Sequence, residues 1–287
     1  MTTLEQYATI AGLRAALAAH RKAGRRIALV PTMGFLHEGH LALVDAARGQ
    51  ADVVVMSIFV NPRQFQPGED FDNYPRDLAH DQALAEARRV DILFTPDVGE
   101  MYGSGDELRI VAGETAARWE GEFRPGHFDG VLTVVAKLFN IVQPDVVCFG
   151  QKDIQQVTLI RRMIQELDIP VRLHISPTVR EADGLARSSR NVYLTPAERL
   201  RALALSRALR AAEAAFEQGE TTAAALERVV RTVLEDEPEI TTDYIAVVEP
   251  RRLAPVSTVD AGTIIALAAR VGRTRLIDNV ILGDEDV

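Results

Sequence analysis

Apolar and polar positions follow two different periods along the chain, and the change from one to the other marks out most of its elements. Leu4, Tyr7, Ile10, Leu13 and Leu17 recur at helical spacing, which predicts a helix over 4–23 that Gly24 stops. Arg26–Val30 reads as a short buried strand ending at Pro31, and a helix is expected from about Gly39 to Ala47. Asp52–Val60 (DVVVMSIFV) is continuous and β-branched, as central parallel strands are. Asp77–Arg89 then reads as a helix, Asp91–Thr95 as a strand, Phe128–Val142 as a helix and Asp145–Phe149 as a strand. Asp153 is placed as the N-cap of a helix running to Glu166, and Val171–Ser176 is a further strand before Pro177. Beyond residue 180 the pattern changes. Two Ala-, Leu- and Arg-rich helices, Pro196–Gln218 and Thr222–Glu235, precede three β-rich stretches at Tyr244–Val248, Thr263–Val271 and Arg275–Leu282.

Strands alternating with helices predict an α/β fold, a Rossmann-like parallel sheet with helices on both faces. Helices followed by strands predict a smaller α+β carboxyl-terminal domain, so the expected division is 1–179 and 180–287, the second domain covering the site. The 287 residues suffice for both, and 47% apolar with 25% charged residues is an ordinary globular balance. Lys plus Arg number 32 against 41 Asp plus Glu, a net charge of −9, which disfavours nucleic acid as a partner. The single Cys148, within Val146–Phe149, excludes an internal disulfide framework and reads as a buried small hydrophobe. Glu5 interrupts any signal-peptide core, and polar residues break the longest apolar run, Val131–Phe149. A soluble, cytoplasmic protein with no membrane partner is expected.

The sharpest chemical signal is His37-Glu38-Gly39-His40, after a predicted strand and at the start of a predicted helix. Glycine lets backbone approach a nucleotide, the helix N-terminus offers N–H groups to phosphate, and two imidazoles can donate to phosphoryl oxygens as charge develops. A chance H-x-G-H match anywhere in the chain has a probability of about 1%. A polar turn with two surface histidines is the bland alternative. A metal-binding pair is another, but it lacks a third ligand other than Glu38. Gly150-Gln151-Lys152-Asp153 is a second strand-to-helix turn, where Lys152 could meet phosphate and Gln155 or Gln156 a polar substrate; an ordinary surface lysine is the alternative. Arg187-Ser188-Ser189-Arg190-Asn191 reads either as a cationic loop able to close on triphosphate or as a solvated linker. Asn61–Phe65 would bring Gln64 to the cleft, whereas His127 in Arg124–Phe128 reads as structural. Dinucleotide-type glycine fingerprints, Walker-type loops and serine-hydrolase elbows are absent from the sequence.

Taken together, these segments resemble the pantoate–β-alanine ligases (pantothenate synthetases) of the H-x-G-H nucleotidyltransferase superfamily. The matching stretches are Pro31-Thr32-Met33-Gly34-Phe35-Leu36-His37-Glu38-Gly39-His40, Ser57–Phe65, Asp72–Arg76, His127–Val131, Phe149–Asp153 with Gln156, and Ser188–Asn191, in the family's order over about residues 25 to 195. The resemblance implies ATP-dependent condensation of (R)-pantoate with β-alanine through a pantoyl adenylate, releasing pyrophosphate and then AMP. It places the proton-donating histidine on His40, with His37 and Lys152 beside it in the catalytic set. ATP contacts fall on Met33, Gly34, Phe35, Leu36, His37, Glu38, Gly39, His40, Gly150, Gln151, Lys152, Asp153, Val179, Arg187, Ser188, Ser189 and Arg190. Gln64 and Gln156 match pantoate positions, with Gln64 also near β-alanine. Mg2+ would accompany ATP, held mainly by phosphates and water, with Asp81 a candidate outer partner; no protein-held metal site and a homodimer are implied. Arg187 departs from the Met or Leu common at its position in the family. Rival readings are a nucleotidyltransferase that keeps the nucleotide in its product, a tRNA-binding synthetase-like protein, and a non-catalytic nucleotide sensor.

Overall fold

The computed structural model describes residues 4–103 and 107–283. Two compact units are present: Met1–Gly113, Arg124–Gly150 and Leu159–Ser176 form one, and Glu114–Phe123, Gln151–Thr158 and Pro177–Val287 form the other.

The first unit is built on six parallel strands: β1 (Glu5–Tyr7), β2 (Ile27–Thr32), β3 (Val53–Ile58), β4 (Ile92–Phe94), β5 (Val146–Gly150) and β6 (Arg172–Ser176). Their order is β1-β4-β3-β2-β5-β6, so the sheet grows outward in opposite directions from the β2–β5 pair. Side chains alternate between its faces. Ala28, Val30, Val54, Met56 and Cys148 pack with α2 (Glu38–Arg48) and with Ala85 of α3 (Leu78–Ala87). The intervening Leu29, Val55 and Val147 are equally buried, on the face where α7 (His127–Val142) meets β2 and touches α1 (Ile10–Lys22). Burial on both faces explains why these strands read as unbroken apolar runs. Cys148 is fully buried, and burial pushes its thiol up to about 12, consistent with an inert packing residue.

The amino-terminal helix predicted over 4–23 is two elements. Glu5–Tyr7 is an edge strand in register with Ile92–Phe94, and α1 begins after Thr9, whose hydroxyl caps Gly12 N–H. Leu4 and Tyr7 sit at helical spacing from Ile10 by coincidence, and pairing with the edge of the sheet overrides that spacing. Gly24, at φ +69°, ends α1 as expected. Strand β2 continues through Pro31 to Thr32, because a parallel partner, Ser57, can face a residue that lacks an N–H. Short helices not anticipated are α4 (Val98–Tyr102), α5 (Glu114–Ala117) and α6 (Glu120–Phe123). Asp153 is not an N-cap: Gln151–Asp153 is a 3-10 turn running directly into α8 (Ile154–Glu166).

In the second unit, β7 (Ile240–Val248), β8 (Ile264–Val271) and β9 (Thr274–Ile281) form an antiparallel sheet. Leu205 and Leu209 of α9 (Pro196–Glu217) and Leu226, Val230 and Leu234 of α10 (Ala223–Glu235) cover one face, against Ile245, Val247, Ile265 and Leu267. Ile154 and Leu253, with Trp119 packed alongside, cover Ala246, Val248, Ile264 and Ala266 on the other face. Helix α9 starts where its sequence says it should, with a reciprocal Thr195–Glu198 capping box and Pro196 in the first turn. Strand β7 begins four residues earlier than expected. Asp243 falls at a bulge between Thr242 and Tyr244, so its carboxylate interrupts the apolar pattern without ending the strand. Among the described residues, no helix is long and apolar enough to cross a membrane.

Candidate active site

In the first unit the strand order reverses at β2 and β5, the place where parallel sheets present ligand sites at their carboxyl ends. The His37–His40 turn leaves β2 there, and Gly150 ends β5. Thr32 donates its hydroxyl hydrogen to Ser57 O at 2.7 Å and accepts Gly34 N–H at 3.1 Å, which turns the chain off the strand. Gly34 has φ +82°, and a Cβ there would lie 2.8 Å from Asp81 Oδ2 and 2.9 Å from Ile58 Cγ2. Only glycine fits both the conformation and the space.

Asp81 is the anchor of this turn. It is 1% exposed and accepts N–H of Phe35 at 2.8 Å and of Leu36 at 2.6 Å. Burial pushes its carboxyl up, and the two N–H donors offset part of that shift. Phe35, at φ +50°, is held in the left-handed region by the same grip. Helix α2 is then capped by the histidines themselves. His37 Nδ1 accepts Gly39 N–H at 3.1 Å, and His40 Nδ1 accepts His37 N–H at 3.3 Å. The rings stack with centroids 4.0 Å apart. Because each Nδ1 accepts, the proton of each neutral ring resides on Nε2. Glu38 turns outward to Arg88, at 2.7 Å.

Gln64 lies beside this turn, its Nε2 3.1 Å from Met33 Sδ. Three residues hold its loop. Asn61, 1% exposed, donates through Nδ2 to Gln64 Oε1 at 3.0 Å and to Gly130 O at 3.2 Å, while its Oδ1 accepts Tyr102 OH at 2.6 Å. His127 Nδ1 meets Gln64 O at 2.7 Å, and Arg124 joins Glu69 through two bonds of 2.9 and 2.8 Å. Gly130 allows α7 to approach: a Cβ at that position would fall 2.1 Å from Arg63 O.

In the second unit, Gln151 is buried, and Lys152 is half-buried with Nζ 3.9 Å from Asp153 Oδ2. Gln156 is half-buried on α8, whereas the neighbouring Gln155 amide is spent on Glu120 N–H, Thr115 O and Arg118 O. Val179 O accepts Arg187 N–H at 2.9 Å, so these two predicted residues are brought together. Arg187 pairs with Glu181 at 3.2 Å, and Glu181 also receives Arg199 at 2.7 Å and Asn191 at 3.0 Å. Burial pushes the Glu181 carboxyl up, but these donors outweigh it and hold it below the usual carboxylate range. Ser188 Oγ accepts Arg190 N–H at 3.3 Å, opening the short 3-10 turn Ser189–Tyr193. Among the described residues, no cluster of three or more His, Cys, Asp or Glu side chains is arranged to hold a metal ion.

A family profile described as pantoate-beta-alanine ligase matches residues 5–281. The chain belongs to the pantoate–β-alanine ligase family. It is 51% identical over 278 residues to the pantothenate synthetase of Agrobacterium fabrum, covering 96% of this chain and 95% of that one. A crystal structure of pantothenate synthetase from Thermus thermophilus superposes with a TM-score of 0.92 at 49% identity, covering 96% of this chain and 99% of that chain. A pantoate-beta-alanine ligase from Francisella tularensis, complexed with beta-gamma ATP and beta-alanine, gives 0.80 at 33% identity over 97% and 98% of the two chains.

Within this ligase, residue-type reasoning underrated Asp81 and passed over the supporting role of Asn61. Asp81 had one available signal: it lies four residues before the buried Ala85, on the apolar face of α3 where a carboxylate needs a partner.

Two expectations follow from the packing around Gln64. Gly130→Ala drives a methyl into the Arg63 carbonyl and should lower unfolding free energy by about 1–3 kcal/mol in urea titration; unchanged stability would contradict the close approach. Burial raises the Glu69 carboxyl, but the Arg124 bonds prevail and hold it below its ordinary value. Its stabilising contribution is therefore present above an ordinary carboxyl value of 4.5 and is lost as pH falls through the lower folded value. Thermal unfolding followed downward from about pH 5 should show a smaller loss for Glu69→Gln than for the parent chain.

Proposed function

We propose that this ligase condenses (R)-pantoate with β-alanine in two steps driven by ATP. In the first, a pantoate carboxylate oxygen attacks the α-phosphorus, the Pα–O–Pβ bond breaks, and pyrophosphate leaves. In the second, the β-alanine amine attacks the activated carbonyl carbon and gives up a proton. The carbon–oxygen bond to AMP then breaks, releasing AMP and pantothenate. The full-length similarity to pantothenate synthetases at about half identity carries this reading.

The reading gives the residues definite parts. His40 and His37, with Nδ1 committed to the helix cap, present Nε2–H as a hydrogen-bond donor and stabilise negative charge on the phosphoryl oxygens. His40 is the main proton-donating group. Met33 through Leu36, Glu38 and Gly39 contribute backbone to the nucleotide, the Asp81 grip fixing where the Phe35 and Leu36 amides stand. Lys152, Arg187 and Arg190 supply positive charge, and Gly150, Gln151, Asp153, Val179, Ser188 and Ser189 complete the ATP contacts. Gln64 and Gln156 orient pantoate, with Gln64 also close to β-alanine. Mg2+ would accompany ATP, held mainly by phosphates and water, a mode that does not require a protein cage. A homodimer in the cytoplasm, without nucleic-acid or membrane partners, completes the proposal.

The reaction is tested by incubating the purified chain with ATP, Mg2+ and pantoate, with and without β-alanine, and following pyrophosphate and AMP. Pyrophosphate formation dependent on pantoate, and AMP with an amide product dependent on β-alanine, are expected. Silence with pantoate but turnover on another acceptor that retains the nucleotide would assign a nucleotidyltransferase instead. His40→Ala should slow pantoate-dependent pyrophosphate release by ~10²-fold or more, the usual loss when one transition-state donor is removed. A rate within a few-fold of the parent would take His40 out of the chemistry.

A further inference from the structure

Strand β9 carries two adjacent polar residues, Asp278 and Asn279, that are only 3% and 2% exposed. An unpartnered buried amide or carboxylate is costly, so the groups that satisfy them show what the pair is for. Asn279 uses every function of its amide. Its Nδ2 donates to Gln151 O at 3.1 Å and to Lys152 O at 2.9 Å, and its Oδ1 accepts Gln151 Nε2–H at 3.2 Å. Asp278 takes both branches of the Arg180 guanidinium, at 2.7 and 3.0 Å, and accepts Asn279 N–H at 2.8 Å. Arg180 is the residue after Val179 and bridges to Ala186, the residue before Arg187. Two neighbouring residues of one strand therefore hold the Gln151–Lys152 turn and the Val179–Arg187 hairpin.

We infer that Asn279 and Asp278 are positioning residues for ATP: Asn279 fixes the backbone from which Lys152 projects, and Asp278 fixes the hairpin carrying Val179 and Arg187. The inference rests on the reading of those residues as ATP contacts. Neither side chain needs to touch the nucleotide. The bidentate amide pair with Gln151 removes rotation of the turn about the strand, and the Arg180 fork does the same for the hairpin. Preorganisation of this kind lowers the ordering required when ATP binds, and a displacement of about 1 Å at such a position can change rates 100-fold.

The experiment compares the intact parent chain, Asn279→Ala, Asp278→Asn and a destabilised control, Leu276→Ala, which shortens a buried apolar side chain of the same strand. Parent activity with ATP, pantoate and β-alanine is measured first, and its absence would sink the ligase reading and not the positioning claim. With the parent active, Asn279→Ala should lower kcat/KM for ATP by about 10- to 100-fold, chiefly through KM, while KM for β-alanine changes less than twofold. Asp278→Asn should move the same parameter in the same direction. Leu276→Ala should lose thermal stability with KM for ATP unchanged. If Asn279→Ala loses only stability, as the control does, the positioning role is overturned. Should Asn279→Ala fail to fold, hydrogen exchange on the parent chain decides. ATP should protect residues 151–155 and 276–281 together, and protection of the first stretch with none of the second would equally overturn it.

Discussion

The turn between β2 and α2 depends on one buried carboxylate. A strand that ends in Pro31-Thr32 and must enter a helix within six residues leaves several N–H groups without ladder partners. Asp81 takes two of them, on Phe35 and Leu36, and the histidine rings take the next two, on His37 and Gly39. Every element of the motif is then constrained at once. Gly34 is required because Asp81 stands where its Cβ would be, and Phe35 accepts a left-handed backbone because its amide is held. Each imidazole is confined to one tautomer because its Nδ1 is the cap. The histidine pair is thus a structural cap through Nδ1, which leaves the ring proton on Nε2.

The loop carrying Gln64 obeys a related rule. Its polar side chains are mostly committed inward, Asn61 to Gln64, Gly130 and Tyr102, and His127 to the Gln64 carbonyl. Close approach of α7, possible only at glycine, brings Gly130 O and His127 Nδ1 within reach of the loop. The Gln64 side-chain amide meets Asn61 Nδ2 and Met33 Sδ, and its backbone carbonyl meets His127, so fixed neighbours set its orientation.

Much of this was legible in the residues, and the parts that were not share a cause. The central strands announced themselves because both faces are buried, so Val53–Ile58 had no polar position to confuse the pattern. Helix α9 was legible from Thr195, Pro196 and Glu198, a local signal independent of tertiary context. The H-x-G-H turn was recognisable from its place after a strand and before a helix. Edge strand β1 was not, because three residues cannot display a period and its pairing with β4 is a distant contact. The start of β7 was obscured by Asp243, which a bulge and two arginines, Arg270 and Arg275, accommodate. The structural roles of Asp81 and Asn279 escaped for the same reason: each is a polar residue in a regular element whose partner lies far away in sequence.

Such residues are visible in principle by what they interrupt. Strand β9 reads Thr-Arg-Leu-Ile-Asp-Asn-Val-Ile, and two consecutive polar residues cannot both be solvated when the strand's two faces alternate and both are covered. One of them, at least, must find an internal partner, and the carbonyls of Gln151 and Lys152 and the guanidinium of Arg180 are those partners. The carboxyl-terminal stretch carries no recognisable catalytic signature for this reason. The Asn279 amide meets backbone carbonyls, and backbone has no residue identity for a sequence motif to record. What a motif preserves is the side chain that touches the substrate, whereas the accuracy of that side chain's placement depends on polar residues buried elsewhere in the fold.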